Sequence, residues 1–126
     1  MAVAKRSLSL RVVGPAEPAL EPGVSITVIQ SLGKGDKFEQ VIQHGTEAGA
    51  SAFAPLLTER SISRISAQDA ASKQPRWELI ARGAAEQTGR ARIPVIGSLG
   101  TIPSVKTELD SNVYERVFLL DPGGAP

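Results

Sequence analysis

Residues 24–57 read VSITVIQSLGKGDKFEQVIQHGTEAGASAFAPLL, and this stretch decides the fold. Val24 to Gln30 is β-branched, with Val24, Ile26 and Val28 in alternation, as a strand requires. Ser31 to Asp36 (SLGKGD) is a turn. Asp36 stands as an N-cap with Glu39 three residues on, the spacing of a capping box. Phe38, Val41, Ile42 and Gly45 then recur at helical spacing to about Ala48, and Gly49 suits the residue after the cap. Ala50 to Leu57 reads as a short strand with Pro55 near its end. Strand, helix, strand with short turns predicts a parallel crossover unit, hence an α/β fold with a mostly parallel sheet and flanking helices.

Working outward, a second helix is expected from about Ala67 to Thr88. Trp77, Ile80, Ala81, Ala84, Ala85 and Thr88 share one face, Pro75 starts or kinks the regular part, and Gly89 ends it. Ile93 to Ile96 reads as a short strand, and Thr101-Ile102-Pro103 opens a short helix towards Leu109. Val117 to Leu120 (VFLL) has the compact apolar character of a buried strand, followed by the turn Asp121 to Pro126. Upstream, Ser7 to Val13 places Leu8, Leu10 and Val12 on one face of a half-buried strand. Gly14, Pro15, Pro18, Pro22 and Gly23 then mark a linker.

A chain of 126 residues with 41% apolar and 21% charged side chains makes one packed domain the default. Fourteen basic residues oppose thirteen acidic ones, a net charge of +1, so any contact with nucleic acid must come from a local cluster. The chain has no cysteine, which excludes disulfides, thiolate chemistry and cysteine-ligated metals. One histidine cannot build a multi-histidine zinc site, so no metal is expected. No apolar run has the length of a membrane span, and no apolar stretch follows Lys5 and Arg6 as in a secretory signal. A cytoplasmic location is expected.

Three constellations carry chemistry. Lys34-Gly35-Asp36-Lys37, after Gly33, opens a helix, where backbone amides and two lysines favour an anion. The spacing is not that of a P-loop, and a solvated turn with a good helix cap explains it equally. Thr58-Glu59-Arg60-Ser61 follows a strand, at the sheet end where open α/β proteins place ligands. Arg60 and Arg64 there suit phosphates; a surface ion pair with Glu59 is the plainer alternative. In Arg82-Gly83-Ala84-Ala85-Glu86-Gln87-Thr88-Gly89-Arg90, Arg82 and Glu86 are four apart on one helix face, with Gln87, Arg90 and Arg92 at or beyond its end. Arg76, Arg82, Arg90 and Arg92 could form the local basic cluster; an i,i+4 ion pair would also account for Arg82 and Glu86. His44, alone, is not assigned as a base. Asp121-Pro122-Gly123-Gly124 imitates a nucleotide loop, but no helix follows it.

In this order, the pieces resemble the RsmE-type 16S ribosomal RNA uridine methyltransferases of the SPOUT (trefoil-knot) superfamily. The resemblance runs from about Leu8 to Leu120. It rests on Ile26 to Gln30, Lys34-Gly35-Asp36-Lys37, Gln43, Thr46-Glu47-Ala48-Gly49 (a variant of T-E-L-G), Pro55, Thr58-Glu59-Arg60-Ser61, Trp77, and Arg82 with Ala84 to Arg90. His44 departs from the family's usual lysine. The resemblance implies methyl transfer from S-adenosylmethionine to the ring N(3) of a uridine in 16S rRNA, by a homodimer acting on the small ribosomal subunit. It implies residues 1–23 as the remnant of an N-terminal RNA-binding β-barrel with its linker, and residues 24–126 as the front part of the methyltransferase domain. Arg82, Glu86 and Gln87 would stand nearest the target base. Lys34, Lys37, Arg60, Arg64, Arg90 and Arg92 would contact RNA. The family's G-P-E-G-G loop and its later leucine- and arginine-rich knot segment cradle the cofactor and have no counterpart here. No cofactor-binding residue is assigned, the knot is not expected to form, and the chain by itself is expected to be inactive. The alternative is a non-catalytic RNA-binding or dimerising module on the same scaffold.

Overall fold

The computed structural model describes residues 11–15, 21–59, 61, 66–111, 113–121 and 123–124. The expected strand at Ser7 to Val13 lies mostly outside them; its described end, residues 11–13, is exposed and outside any strand. Strand β1 is Thr27–Ser31, helix α1 is Lys37–Glu47 and strand β2 is Ala52–Leu57. Helix α2 is Ala67–Gln87, strands β3 and β4 are Val95–Ile96 and Gly100–Thr101, and helix α3 is Ile102–Asp110. All pairings are parallel. β2 lies in the middle, β1 on one side, and β3 and β4 in line on the other. The parallel crossover read from residues 24–57 is therefore present, and so is the α/β class.

The third row is broken for a reason that lies in β2. Pro55 has no N–H to donate and is buried in a central strand, a position where proline demands an irregularity next door. Phe53 pairs with Ile96 and Leu56 with Gly100, so one extra residue is accommodated opposite Pro55. Gly97 N–H donates to the Phe53 carbonyl at 2.8 Å before the row resumes.

The core lies between the sheet and the two longer helices. Phe38 and Ile42 from α1, Phe53 from β2, Trp77 and Ala81 from α2, and Ile96 from β3 form one buried cluster. Phe38 meets Trp77 edge to face, with centroids 4.9 Å apart and planes at 73°. Ala81, Ala84 and Ala85 are buried on the expected face of α2. Thr88, expected with them, caps the helix instead; its hydroxyl donates to the Ala84 carbonyl at 2.7 Å. Pro75 is accommodated inside a continuous helix on an exposed position, where the carbonyl it orphans can reach water.

Four local expectations are corrected. Val24 and Ile26 precede β1 and are exposed, so only Val28 of their alternating set packs on the core. Asp36 is the N-cap residue of α1, but its side chain makes no cap bond. Glu39 is drawn away from a capping box by Arg76 of α2, which offers a bidentate partner at 2.6 and 2.8 Å. Ser66 and Asp69 form a capping box on α2 instead, and their hydrogen bonds hold the Asp69 carboxyl below its ordinary range. Val117 to Leu120 forms no strand: it lies exposed, Leu120 at 95%, and does not pair even though β1 is an edge strand joined to β2 alone. The apolar run carries the tendency to be buried; the pairing partner is a tertiary matter.

Gly45 lets α1 lie close on the sheet. A Cβ there would stand 2.6 and 2.8 Å from two atoms of the fully buried Phe53 ring. Alanine normally improves a helix interior by about 1 kcal/mol over glycine. Overpacking costs roughly 1–3 kcal/mol and wins here, because the ring is walled in. Gly45→Ala is expected to destabilise the fold by about 1 kcal/mol net, read as a lower urea midpoint at unchanged slope.

Candidate functional site

Parallel strands all end on one edge of the sheet, and the loops that leave this edge face one another. Here those loops are residues 32–36 after β1, 58–61 after β2, and the Thr101 cap of α3 after β4. Leu32 is buried and its N–H donates to the Leu56 carbonyl at 2.9 Å, which fixes where the first loop departs. Beyond it Gly35 takes a positive φ of 69°, the conformation glycine adopts without cost, and Lys34 and Lys37 on either side are exposed. Three hydroxyls close the corner between the first two loops. Ser31 Oγ is 3.0 Å from Ser61 Oγ and 3.3 Å from Thr58 Oγ1. Thr58 Oγ1 is 3.0 Å from Ser61 Oγ, which also accepts the Thr58 N–H at 3.0 Å. Arg60 and Arg64 lie outside the described residues.

The other expected residues stand at the opposite edge. α2 runs against the strands, so Arg82 sits about 24 Å along the helix from Ser66, at 1.5 Å per residue. Arg82, Glu86 and Gln87 are all exposed there, and Arg82 and Glu86 do not pair with each other. Within one chain, therefore, they do not meet Lys34 and Lys37 at a common ligand.

Arg90 is turned inward, away from any external ligand. Its side chain is only 9% exposed. Nη1 donates to the Thr46 carbonyl at 3.1 Å and the Ala50 carbonyl at 2.6 Å, while Nη2 and Nε reach Glu21 Oε2 at 2.7 and 3.2 Å. Glu21 Oε1 accepts the Arg92 N–H at 2.9 Å. Arg90 thus joins the segment before β1, the end of α1, the entry to β2 and the end of α2. The proposed basic cluster is dispersed accordingly: Arg76 is committed to Glu39 and Arg90 to Glu21, while the Arg92 side chain is exposed. Glu21 had no signal in the sequence beyond standing in the linker. His44 is exposed on α1, with Nδ1 3.3 Å from Glu47.

On the sheet face away from α1 and α2, Tyr114 and Glu108 border a cavity of about 230 Å³ that also touches Thr27, Ala54 and Ser98. The Tyr114 hydroxyl donates to Glu108 Oε1 at 2.5 Å, and this bond to a carboxylate pushes its pKa up. A second hollow, of about 570 Å³, lies on the outer side of α1 between Val28, Lys37, Val41 and His44 and is lined mainly by apolar atoms. Among the described residues there is no cluster of metal-ligating side chains, and no helix is long and apolar enough to cross a membrane.

A parallel sheet flanked by helices, with polar loops gathered at one edge, places the chain in the α/β class. Comparison narrows the class. Residues 20–126 match the model of the RNA methyltransferase domain family, and the chain belongs to that family. It is 38% identical over 92 residues to the ribosomal RNA small subunit methyltransferase E of Bacillus subtilis, covering 73% of this chain and 36% of the relative. It is 35% identical over 103 residues to the enzyme of that name from Mycobacterium bovis, covering 82% and 38%. The chain thus spans little more than a third of the length of these relatives. The same fold appears in a Legionella pneumophila structure with bound cofactor SAM: TM-score 0.72, 28% identity, 82% of this chain and 41% of that one. It appears also in the methyltransferase E of Neisseria gonorrhoeae bound to S-adenosyl methionine: TM-score 0.58, 34% identity, 65% and 32%.

Arg76 and Arg90 hold the Glu39 and Glu21 carboxyls below the usual glutamate range, chiefly through hydrogen bonds. A depressed folded pKa adds stability that is present above the unfolded pKa and is lost as pH falls through the folded one. The thermal midpoint is expected to drop as pH falls below the ordinary glutamate range, and Glu21→Gln with Glu39→Gln should flatten that slope. At neutral pH, Arg90→Met removes the guanidinium donor from the Ala50 carbonyl and leaves the Thr46 carbonyl with the Gly49 N–H alone, a loss of about 1–3 kcal/mol measurable by urea unfolding.

Proposed function

We propose that this chain provides RNA-contacting and substrate-orienting surface for methyl transfer from S-adenosylmethionine to the ring N(3) of a uridine in 16S rRNA. The observation that carries this reading is the family match across residues 20–126, supported by relatives named as small-subunit rRNA methyltransferases. Lys34 and Lys37, exposed around Gly35 at the C-terminal sheet edge, are the phosphate contacts, with Arg60 and Arg64 assigned to the same role from sequence. Arg82, Glu86 and Gln87 form the second surface. Glu86 is the carboxylate assigned to the uracil N(3)–H, and Arg82 and Gln87 orient the base; Arg92 contributes a further cation. The two surfaces occupy opposite edges of one sheet. A homodimer that sets one copy's first surface beside its partner's second would let both act on one looped-out uridine. A cytoplasmic enzyme of ribosome assembly fits this substrate.

Neither of the two hollows fits a cradle for S-adenosylmethionine. The larger hollow beside α1 is open and apolar and has no carboxylate along its wall to meet a ribose or an amino group. The smaller one has Glu108, but that carboxylate is occupied by Tyr114. This observation favours a second reading, in which the chain acts as an RNA-binding or dimerising module without catalysis of its own. Calorimetric titration with S-adenosylmethionine separates the two: micromolar binding supports catalysis by this chain, and no heat from a folded sample supports the module.

The catalytic reading and the RNA-binding form of the module both require RNA binding. A stem-loop RNA with uridines in its loop is expected to bind with an affinity that falls as salt rises. Lys34→Ala with Lys37→Ala should weaken it about tenfold and reduce the salt slope by about 1.4, two single-strand phosphate contacts at ~0.7 each. An affinity indifferent to both salt and these lysines would refute the assignment of this edge to RNA.

A further inference from the structure

The three-hydroxyl corner of Ser31, Thr58 and Ser61 lies outside every role assigned above. Its protons can be counted. Each hydroxyl donates one hydrogen bond and accepts up to two. Three hydroxyls at mutual distances of 3.0, 3.0 and 3.3 Å close a circuit with three protons. Ser61 Oγ accepts the Thr58 N–H as well, which fills its second lone pair. With the circuit closed no donor remains for a phosphate, so the group is built to hold rather than to bind. What it holds is specific. Ser31 is the last residue of β1, and the lysine-bearing loop leaves directly after it. Thr58 and Ser61 bracket Glu59 and Arg60 on the next loop. The β1–β2 ladder ends at Ser31 and Leu56, one residue short of the end of β2, so these side-chain bonds carry the contact between the strands on into the loops.

We propose that Ser31 is a positioning residue for RNA binding: through its bonds to Thr58 and Ser61 it fixes the end of β1, so that Lys34 and Lys37 on the loop that leaves it meet the RNA backbone from one frame. The proposal rests on the RNA-binding reading given above. Rigid spacing matters because two cations tied to one frame engage successive phosphates without losing loop entropy at each contact.

The test has one arm that does not depend on RNA. In Ser31→Ala, hydrogen exchange of the Thr58 amide should quicken about tenfold or more, while amides inside α1 and α2 keep their protection. Ser31→Thr, which retains a hydroxyl, should restore the slow exchange. In the second arm, the same stem-loop RNA should bind Ser31→Ala about five- to tenfold more weakly, with a salt slope reduced by ~0.7, and Ser31→Thr should recover both. Lys34→Ala should also cost less in the Ser31→Ala background than in the unsubstituted chain, a coupling that loss of stability alone would not produce. Ser61→Ala provides a second variant on the loop itself, should Ser31→Ala fail to fold. An unchanged Thr58 amide overturns the fastening. A loosened amide with unaltered affinity and slope overturns its use for RNA. Absence of RNA binding by the unsubstituted chain overturns the functional reading, and the proposed RNA role with it, whatever the amide shows.

Discussion

Arg90 is the residue on which the arrangement of elements depends. Helices α1 and α2 both run against the strands, so their C-terminal ends, with their unsatisfied carbonyls, come together at the N-terminal edge of the sheet. One guanidinium serves this junction. Its planar fork donates to the end of α1, to the backbone just before β2 and to Glu21 upstream of β1. A lysine could offer charge there but not this set of directions. Because the junction is tied, the loops at the far edge leave from fixed points.

At that far edge the constraint is of another kind. Pro55 interrupts the third row of the sheet, yet it sits in the strand that carries Thr58 and Ser61 just beyond its end. The extra residue opposite Pro55 shifts β4, and with it the capped start of α3, along the edge. Polar loops are therefore gathered where the backbone pattern is least regular, as expected where ligands approach a parallel sheet. The cationic face and the Arg82–Gln87 face are held apart by nearly the full length of α2, and this separation is what gives the dimeric reading its physical content.

Much of this was legible in the residues. The order β1, α1, β2, α2, β3 and α3, the buried faces of α1 and α2, the left-handed glycines Gly49 and Gly89, and the Thr101-Ile102-Pro103 helix start all follow from short-range spacing and backbone sterics; β4 had no such signal. The family motifs were equally visible. What misled was any inference from a motif to the environment of its members. Arg90 ends a motif and looks like a surface cation, but its partners are 40 to 69 residues away in sequence. Glu39 has the spacing of a capping residue, and a distant arginine outcompetes the cap.

The sequence by itself determined the α/β class, the parallel crossover and the family, because hydrophobic period, turn chemistry and motif order are local properties of the chain. Only the tertiary structure decided which cations are free, which hydroxyls meet, and which motifs share an edge of the sheet. Those outcomes depend on side chains from separate elements competing for the same donors and acceptors. No spacing rule along the chain records which of them arrives first.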